Sequence, residues 1–361
     1  MSSIQVSTLK LQEMVSKAMK GVGNNKLLPI TSLMAIKVQD DDLYLITTDG
    51  INYLYIREPR SFEEVDFSVV VNADLFSQLI ARLTCEKTIL EITDNSLVVV
   101  GNGTYHIELP LDEEGNLIKY PNPLNNVVWE INSAIDINLS TIDLILNSIS
   151  PSLSTTLDIP CYTGYWVGDK VVATDTYKIG CLGTKLLEEP KLISAATMKL
   201  LSLMTDEKIK LYVKENTLFF RSENCMVYGK TLDGIQDFQI DAIGGLLEQS
   251  FDSMCRVSKQ SLLQLLDRLM LFVGVYDKNA IELDFTKEGI EVSSKLDSGV
   301  EVIEYQESEN YQKFSCLIDI EMLYAQVKAQ VNEVVEIWYG KDNAIRINDD
   351  NITKIIALIE E

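Results

Sequence analysis

The segment Asp40–Ile56, DDDLYLITTDGINYLYI, alternates apolar and polar residues on both sides of the Asp49-Gly50 pair. Such alternation is typical of half-buried β-strands, and Asp-Gly between two alternating runs predicts a hairpin. Comparable segments follow at Gly168–Leu182, GDKVVATDTYKIGCL, and at Glu288–Tyr305, EGIEVSSKLDSGVEVIEY. The chain therefore contains the same predicted hairpin three times.

The spacing of these hairpins indicates an internal repeat. The intervals are 126 residues from Asp49 to Asp175 and 122 residues from Asp175 to the turn at Asp297–Gly299. A second predicted hairpin begins near Leu97 and recurs after 121 and then 127 residues. It occupies the segments Asn95–Leu111, Asn216–Leu232 and Asn343–Ile359. Two independent landmarks thus give one period of about 120 residues, which is typical of a repeated structural unit.

Each period also contains two segments whose apolar residues fall at helical spacings. They are Ser7–Gly23 and Asn72–Lys87, Asn138–Ser150 and Ser194–Met204, and Ser258–Val273 and Asp319–Val331. Each unit is predicted to run helix, hairpin, helix, hairpin, which is an α+β fold with antiparallel sheets. The stretches Tyr120–Asn126 and Asp241–Ser250 resemble linkers, so we predict three domains at residues 1–122, 123–245 and 246–361.

The composition favours a cytoplasmic protein with free thiols. None of the apolar runs reaches the roughly 18–20 residues of a membrane helix, and the charged N-terminus does not resemble a signal peptide. The six cysteines contain no CxxC pair and are expected to be free and in several cases buried. The formal charge of −23 argues against a protein that wraps nucleic acid, although it says nothing about local distribution.

The sequence contains no recognisable pattern of catalytic residues. The single histidine, His106, lies in a predicted strand and has no evident neighbour to orient it for catalysis. No phosphate-binding or dinucleotide-binding glycine motif is present. The acidic run Asp40–Asp42 is expected to be a solvated loop rather than a metal site. We therefore predict no catalytic residues, no metal and no cofactor.

Three segments resemble the bacterial DNA polymerase III beta subunit, the beta sliding clamp family. They are LPITSLMAIKVQDDDLYLITTDG at Leu28–Gly50, VVATDTYKIG at Val171–Gly180 and ENTLFFRSENCMVYGKTLDGIQDF at Glu215–Phe238. The resemblance covers essentially the whole chain. It implies three clamp domains, a head-to-tail homodimer closed into a ring, and a processivity factor that encircles double-stranded DNA without sequence specificity. It also implies that the DNA polymerase and the clamp loader bind through a short linear motif.

The resemblance implies three sets of site residues. The DNA-channel set is Lys10, Lys17, Lys20, Arg82, Lys87, Lys199, Lys208, Lys259, Arg268 and Lys328. The partner-peptide pocket set is Leu157, Thr174, Thr176, Tyr177, Lys178, Ile179, Ile355, Ala357, Leu358 and Ile359. The dimer-interface set is Tyr105, Ile107 and Leu109 on one side and Leu271 and Phe272 on the other. Taken singly, each basic residue of the channel set is more simply explained as an ordinary surface residue, and each apolar interface residue, like Ile179 and Ile355, is as readily explained by core packing.

The chain departs from the family at the pocket and in the channel. The family's Gly-His-Arg is replaced by Thr176-Tyr177-Lys178, and its Met-Pro-Met-Arg tail by Ala357-Leu358-Ile359-Glu360. The helical segment Asn138–Ser150 has no basic residue and contains Asp143. Such drift would fit a phage- or plasmid-encoded clamp with its own polymerase. A clamp-fold interaction module that binds a polymerase peptide without encircling DNA is the alternative, and an enzyme with an unrecognised site is a more distant one.

Overall fold

The computed structural model describes residues 2–39, 42–59, 66–126, 134–274, 279–294 and 299–360. The predicted turn residue Asp297 and the first two residues of the acidic run, Asp40 and Asp41, lie outside the described residues. The helices are α1 (Thr8–Ala18), α2 (Ala73–Ile80), α3 (Leu139–Leu144), α4 (Ala195–Leu201), α5 (Ile240–Leu247), α6 (Lys259–Leu269) and α7 (Ile320–Lys328).

The strands fall into three successive groups. The first is β1 (Ser2–Ser7), β2 (Leu33–Gln39), β3 (Asp42–Thr48), β4 (Tyr53–Pro59), β5 (Phe67–Asn72), β6 (Lys87–Ile92), β7 (Ser96–Val100) and β8 (Thr104–Glu108). The second is β9 (Ile135–Asn138), β10 (Gly164–Val167), β11 (Val171–Thr174), β12 (Lys178–Leu182), β13 (Lys191–Ser194), β14 (Lys208–Lys214), β15 (Thr217–Arg221) and β16 (Cys225–Lys230). The third is β17 (Ser253–Ser258), β18 (Ala280–Phe285), β19 (Gly289–Ser294), β20 (Val300–Glu304), β21 (Glu307–Glu309), β22 (Phe314–Asp319), β23 (Val334–Tyr339), β24 (Ala344–Asp349) and β25 (Ile352–Ala357).

The element order confirms the repeat and the α+β class. Each group runs strand, helix, four strands, helix, three strands, with the short β21 added in the third. The leading strands β1, β9 and β17 were not predicted, because they precede the helices as short runs without their own turn signal. Helix α5 lies in a stretch predicted to be a linker. Helix α2 ends at Ile80 instead of continuing to Lys87.

Contacts divide the chain into two compact units, and the first comprises Met1–Ile142 and Ala196–Thr231. It contains one antiparallel sheet of four strands, in the order β1-β6-β7-β8, and one of eight strands, in the order β5-β2-β3-β4-β16-β15-β14-β9. The eight-stranded sheet is continuous because β4 pairs with β16, with Leu54 opposite Val227. Helix α1 buries Leu11, Val15 and Ala18 at the spacing of one helical face.

The second unit comprises Asp143–Ala195 and Leu232–Glu361. It contains a nine-stranded sheet, in the order β13-β10-β11-β12-β25-β24-β23-β17-β21, and a four-stranded sheet, in the order β20-β19-β18-β22. Its larger core packs the leucines of α6 against these sheets, and Phe285 stacks on Tyr339 with ring centroids 3.9 Å apart. The middle repeat therefore contributes strands to both units, and the predicted domain boundaries remain a prediction.

All six cysteines are free, and four of them are buried, as the sequence predicted. None of the helices in the described part of the chain has the length and apolar character that crossing a bilayer requires. His106 lies on β8, in agreement with the strand predicted there.

The helix starts generate a stability prediction. The Asn72 side chain accepts a hydrogen bond from the N–H of Leu75 at 2.9 Å, whereas Ser7, at the same position before α1, makes no side-chain cap. Because a lost N-cap costs about 1 kcal/mol, Asn72→Ala should lower the free energy of unfolding by about that amount. Urea unfolding followed by circular dichroism measures the change. Ser7→Ala is the control, and an equal loss in both variants would contradict the capping role of Asn72.

Candidate functional site

The turn that follows β11 is held by side chains of its own residues. The Asp175 carboxylate accepts hydrogen bonds from the N–H groups of Tyr177 at 3.0 Å and Lys178 at 2.9 Å. The Thr174 hydroxyl donates to the Lys178 carbonyl at 2.8 Å, and the Lys178 ammonium forms an ion pair with Asp175. These bonds fix Thr174, Thr176, Tyr177 and Lys178, four of the predicted pocket residues, in one rigid turn.

The first unit contains the same turn between β3 and β4. Asp49 accepts from the N–H groups of Ile51 at 2.8 Å and Asn52 at 2.6 Å, and the Thr48 hydroxyl donates to the Asn52 carbonyl. The recurrence explains why Asp49 and Asp175 marked the repeat in the sequence. Their role is to organise the turn, as predicted from the side-chain chemistry of aspartate.

The two turns differ at one residue. Gly50 has a φ of +99°, whereas the corresponding residue in the second turn is Thr176, with a φ of 80°. A β-branched residue in the left-handed region is strained, and such strain persists only where the surrounding structure enforces it. Thr176 is therefore held in an unfavourable backbone conformation at the edge of the predicted pocket.

The pairing of β12 with β25 brings together the two halves of the predicted pocket. Ile179 lies opposite Ile355, and the N–H of Ala357 donates to the Tyr177 carbonyl at 2.8 Å. Both isoleucines are buried in an apolar cluster that also includes Trp166 and Phe238. These isoleucines therefore serve as the floor of the region rather than as exposed anchor points.

The remaining predicted pocket residues differ in their exposure. Thr174 is buried, while Thr176 and Tyr177 are exposed. Ala357, Leu358 and Ile359 are partly exposed. Leu157 lies in the loop before Pro160 and is 80 % exposed.

A groove that the sequence did not indicate adjoins the C-terminal residues. Its volume is about 440 Å³, and its apolar lining includes Phe314, Leu317, Leu358 and Ile359. The N–H of Ile359 donates to the Leu317 carbonyl at 2.8 Å, which attaches the end of the chain to β22. Three carboxylates also line the groove, those of Glu282, Asp342 and Glu360. Such a groove suits an apolar peptide anchor flanked by positive charge.

Two of the predicted DNA-channel residues of the first unit lie together. Lys20 and Arg82 line a groove of about 460 Å³ between α1 and α2. Lys10 forms an ion pair with Glu58, Lys17 is partly exposed, and Lys199 is exposed on α4. The prediction that Lys87 ends a helix is wrong, because Lys87 opens strand β6. Lys208, predicted to lie on or just after α4, opens strand β14.

The predicted channel residues of the second unit are largely engaged by other groups. Arg268 forms a bidentate ion pair with Glu301, with N–O distances of 2.8 and 2.5 Å. The pairing raises the pKa of Arg268 and lowers that of Glu301. Lys259 donates to the Gln330 carbonyl at 2.5 Å, and Lys328 lies 5.7 Å from the Tyr324 ring centroid.

The predicted interface residues also divide into two groups. Leu271 is 81 % exposed, and Phe272 and Tyr105 are exposed as well. Ile107 and Leu109 are only 2 % and 7 % exposed, so these two side chains belong to the core of their own unit. Exposure changes along β8, since Tyr105 and His106 are exposed while Ile107 is buried.

Comparisons of sequence and of structure both find similarity to DNA polymerase sliding clamps. Residues 2–117 match the family of the DNA polymerase III beta subunit, N-terminal domain. The beta sliding clamp of Bacillus subtilis (strain 168) is 23 % identical over 375 aligned residues, which cover 96 % of each chain. The crystal structure of the DNA polymerase sliding clamp from Bacillus subtilis superposes with a TM-score of 0.86, at 19 % identity, over 100 % of this chain and 99 % of that one. The beta subunit from DNA polymerase of Streptococcus pyogenes gives a TM-score of 0.87, at 15 % identity, over 99 % and 100 %.

The repeated α+β units and these superpositions define a protein of the DNA clamp fold over its whole length. The resemblance to the bacterial DNA polymerase III beta subunit family is confirmed, since residues 2–117 match the model of its N-terminal domain and the whole chain is similar to a beta sliding clamp.

The strained turn generates a second prediction. Thr176→Gly should raise the free energy of unfolding by about 1 kcal/mol, since glycine adopts a positive φ without the Cβ clash. Thermal or urea unfolding measures the change. The reciprocal variant Gly50→Thr should lose a similar amount in the first unit. A destabilised Thr176→Gly protein would contradict the inference of strain at this residue.

Proposed function

We propose that this protein is a DNA sliding clamp, a processivity factor that encircles duplex DNA as a head-to-tail homodimer and tethers the replicative DNA polymerase. The observation that carries the proposal is the pattern of paired and unpaired sheet edges. Two joints between repeats pair equivalent strands, and the outer edges of the strands equivalent to a third joint are unpaired within the described residues.

The joints follow one rule. The fourth strand of the first repeat, β4, pairs with the last strand of the second, β16. The fourth strand of the second repeat, β12, pairs in the same way with the last strand of the third, β25. By the same rule, a third joint would pair the fourth strand of the third repeat, β20, with the last strand of the first repeat, β8. Both strands lie at the edges of their sheets. Pairing β20 of one chain with β8 of the next would repeat the joint.

The surface around these two edges supports such pairing. An unpaired strand edge presents free N–H and C=O groups to any strand that can reach it. Val300 and Val302 on β20 are exposed, as are Leu271 and Phe272 close by and Tyr105 on β8. The contact is heterologous, so two chains joined twice would close into a ring of six repeats. In this proposal the buried Ile107 and Leu109 support β8 instead of meeting the partner.

Electrostatics determine how such a ring would hold DNA. Ion pairs with Glu58 and Glu301 occupy Lys10 and Arg268, in a chain with a formal charge of −23. Non-specific affinity for DNA depends on the number of phosphates that lysine and arginine neutralise, and it falls steeply with salt. We therefore expect weak intrinsic binding, with retention supplied by encirclement. This is a binding scaffold in the cytoplasm, without a catalytic step of its own.

The partner site of this proposal combines the predicted pocket with the acidic groove. Ile179 and Ile355 form its floor, and the groove beside Leu358 and Ile359 extends it. The polymerase and the clamp loader would insert apolar side chains of a short motif here. The carboxylate of Glu360, where the family has arginine, favours partners with positive charge beside those apolar residues.

The oligomeric state tests the ring. Light scattering should give a dimer of twice the 40.6 kDa chain mass. The double variant Leu271→Asp/Phe272→Asp should be monomeric at micromolar concentration, because four buried charges per ring cannot be paired. Leu27→Asp is the matched control, since Leu27 is also exposed but lies far from β8 and β20 in sequence. A wild-type monomer would contradict the ring.

Retention on DNA tests the function. Clamps loaded onto nicked circular DNA by the cognate loader should co-purify with it and be lost after the circle is linearised. The free protein should give no stable complex with linear duplex at physiological salt. Equal retention on circular and linear DNA would contradict encirclement, and absence of loading in an intact dimer would favour the interaction module that does not encircle DNA.

The partner site is tested with an array of apolar hexapeptides flanked by lysine or by glutamate. The wild-type protein should retain the lysine-flanked peptides, and Glu360→Lys should reduce that preference at least about threefold, because it removes one carboxylate and adds a cation. Glu248→Lys is the control at an acidic residue outside the groove lining. Unchanged selectivity in Glu360→Lys would place the peptide elsewhere.

A further inference from the structure

A second concave site lies in the first unit, on one face of the eight-stranded sheet. We name it the tyrosine pocket. Its floor is formed by Ile46, Tyr55 and Met226, its wall by Leu124, and its rim includes Lys37 and Arg221. The volume is about 280 Å³. None of these residues belongs to the site described above.

The strand register explains how the pocket is assembled. Ile46 lies opposite Tyr55, Tyr55 opposite Met226, and Met226 opposite Arg221, so four strands supply one row of side chains on the same face. In the adjacent row Lys37 lies opposite Tyr44. The pocket therefore spans the joint between β4 and β16, which corresponds to the joint beneath the partner site in the second unit.

The floor of the pocket is firmly held. The Tyr55 side chain is buried, and its hydroxyl donates to the Asn122 side-chain oxygen at 2.9 Å. Tyr120 donates its hydroxyl proton to the Leu33 carbonyl at 3.2 Å and fixes the segment that leads to Leu124. Apolar atoms on a fixed floor make a preformed site for one or two side chains of a ligand.

The charge of the pocket is unusual for this protein. Lys37 and Arg221 line it, its described lining contains no carboxylate, and neither cation forms an ion pair within the described residues. The nearby Asp42 carboxylate is already engaged, because it accepts from Arg57 at 2.6 Å and from the Tyr44 hydroxyl at 2.9 Å. A chain with a formal charge of −23 thus presents a local cationic site around an apolar floor.

We propose that the tyrosine pocket binds an acidic peptide, with an apolar side chain inserted on Tyr55 and Met226 and flanking carboxylates on Lys37 and Arg221. Charge complementarity selects this occupant, since a carboxylate gains an ion pair without displacing an existing one. A single-stranded nucleic acid needs a longer cationic groove with successive stacking platforms, whereas a pocket of this size offers space for one or two side chains only. The site does not depend on ring formation.

The experiment uses the full chain and two fluorescein-labelled peptides. The acidic probe is Gly-Asp-Leu-Phe-Glu-Gly, and the neutral probe, Gly-Asn-Leu-Phe-Gln-Gly, differs only in its two carboxylates. Fluorescence anisotropy should show binding of the acidic probe, with the neutral probe at least about tenfold weaker. Raising the salt concentration should weaken the acidic probe more than the neutral one.

Charge-reversal variants assign the site. Lys37→Glu and Arg221→Glu should each weaken the acidic probe by about tenfold or more, whereas Lys26→Glu, at an exposed lysine outside the pocket, should leave binding unchanged. The milder Lys37→Met and Arg221→Met variants retain apolar packing, and unchanged circular dichroism establishes that they fold.

The interface variant Leu271→Asp/Phe272→Asp should bind the acidic probe as the wild type does, which separates this proposal from the ring. The proposal is overturned if the acidic probe fails to bind at about 1 mM, or if both probes bind equally. It is also overturned if charge reversal in the pocket has no effect, or if an oligothymidylate of eight nucleotides binds better than the acidic probe.

Discussion

Antiparallel backbone pairing between edge strands of successive repeats is the interaction on which the rest of this structure depends. A four-stranded sheet leaves two edges with unsatisfied N–H and C=O groups, and each repeat contributes two such sheets. Joining β4 to β16 and β12 to β25 satisfies one edge in four of these six sheets. The second joint also sets Ile179 beside Ile355, far apart in sequence, so the proposed partner site depends on the pairing of these edges. The same constraint leaves β8 and β20 as the edges through which a second chain would join.

The distribution of charge follows from the same architecture. Cations on the helices are partly compensated locally, as Lys10 is by Glu58 and Arg268 by Glu301. Exposed ion pairs of this kind contribute little to stability, but they reduce the charge available to a phosphate. Closure around DNA requires no strong attraction, since topology supplies the retention. The acidic character of the chain is therefore compatible with the proposed clamp function.

The sequence predicted the repeat because its turns depend on local chemistry. Asp49 and Asp175 bond to backbone groups two and three residues away, and such bonds leave a signature at fixed positions. The leading strands and α5 were missed, because their formation depends on partners distant in sequence, such as β6 for β1. The same reason explains Ile107 and Leu109, whose burial depends on packing within their own unit, with Ile107 opposite Leu97 on β7. The acidic groove requires Leu317 and Ile359 to meet across the fold, so no local pattern could indicate it.

The two joints show how one scaffold acquires two different surfaces. Backbone pairing fixes which rows of side chains lie across each joint, yet it constrains their chemistry only on the face that is buried. In the first unit the row across β4 and β16 includes Arg221, which lines the tyrosine pocket. In the second unit the chain end brings Glu360 beside a groove that already contains Glu282 and Asp342. Because the edge bonds carry the structural role, substitutions around them can change the charge of a docking surface without disturbing the joint. Divergence at Thr176 marks the limit of this freedom, since a turn that favours glycine tolerates threonine only at a cost in backbone strain.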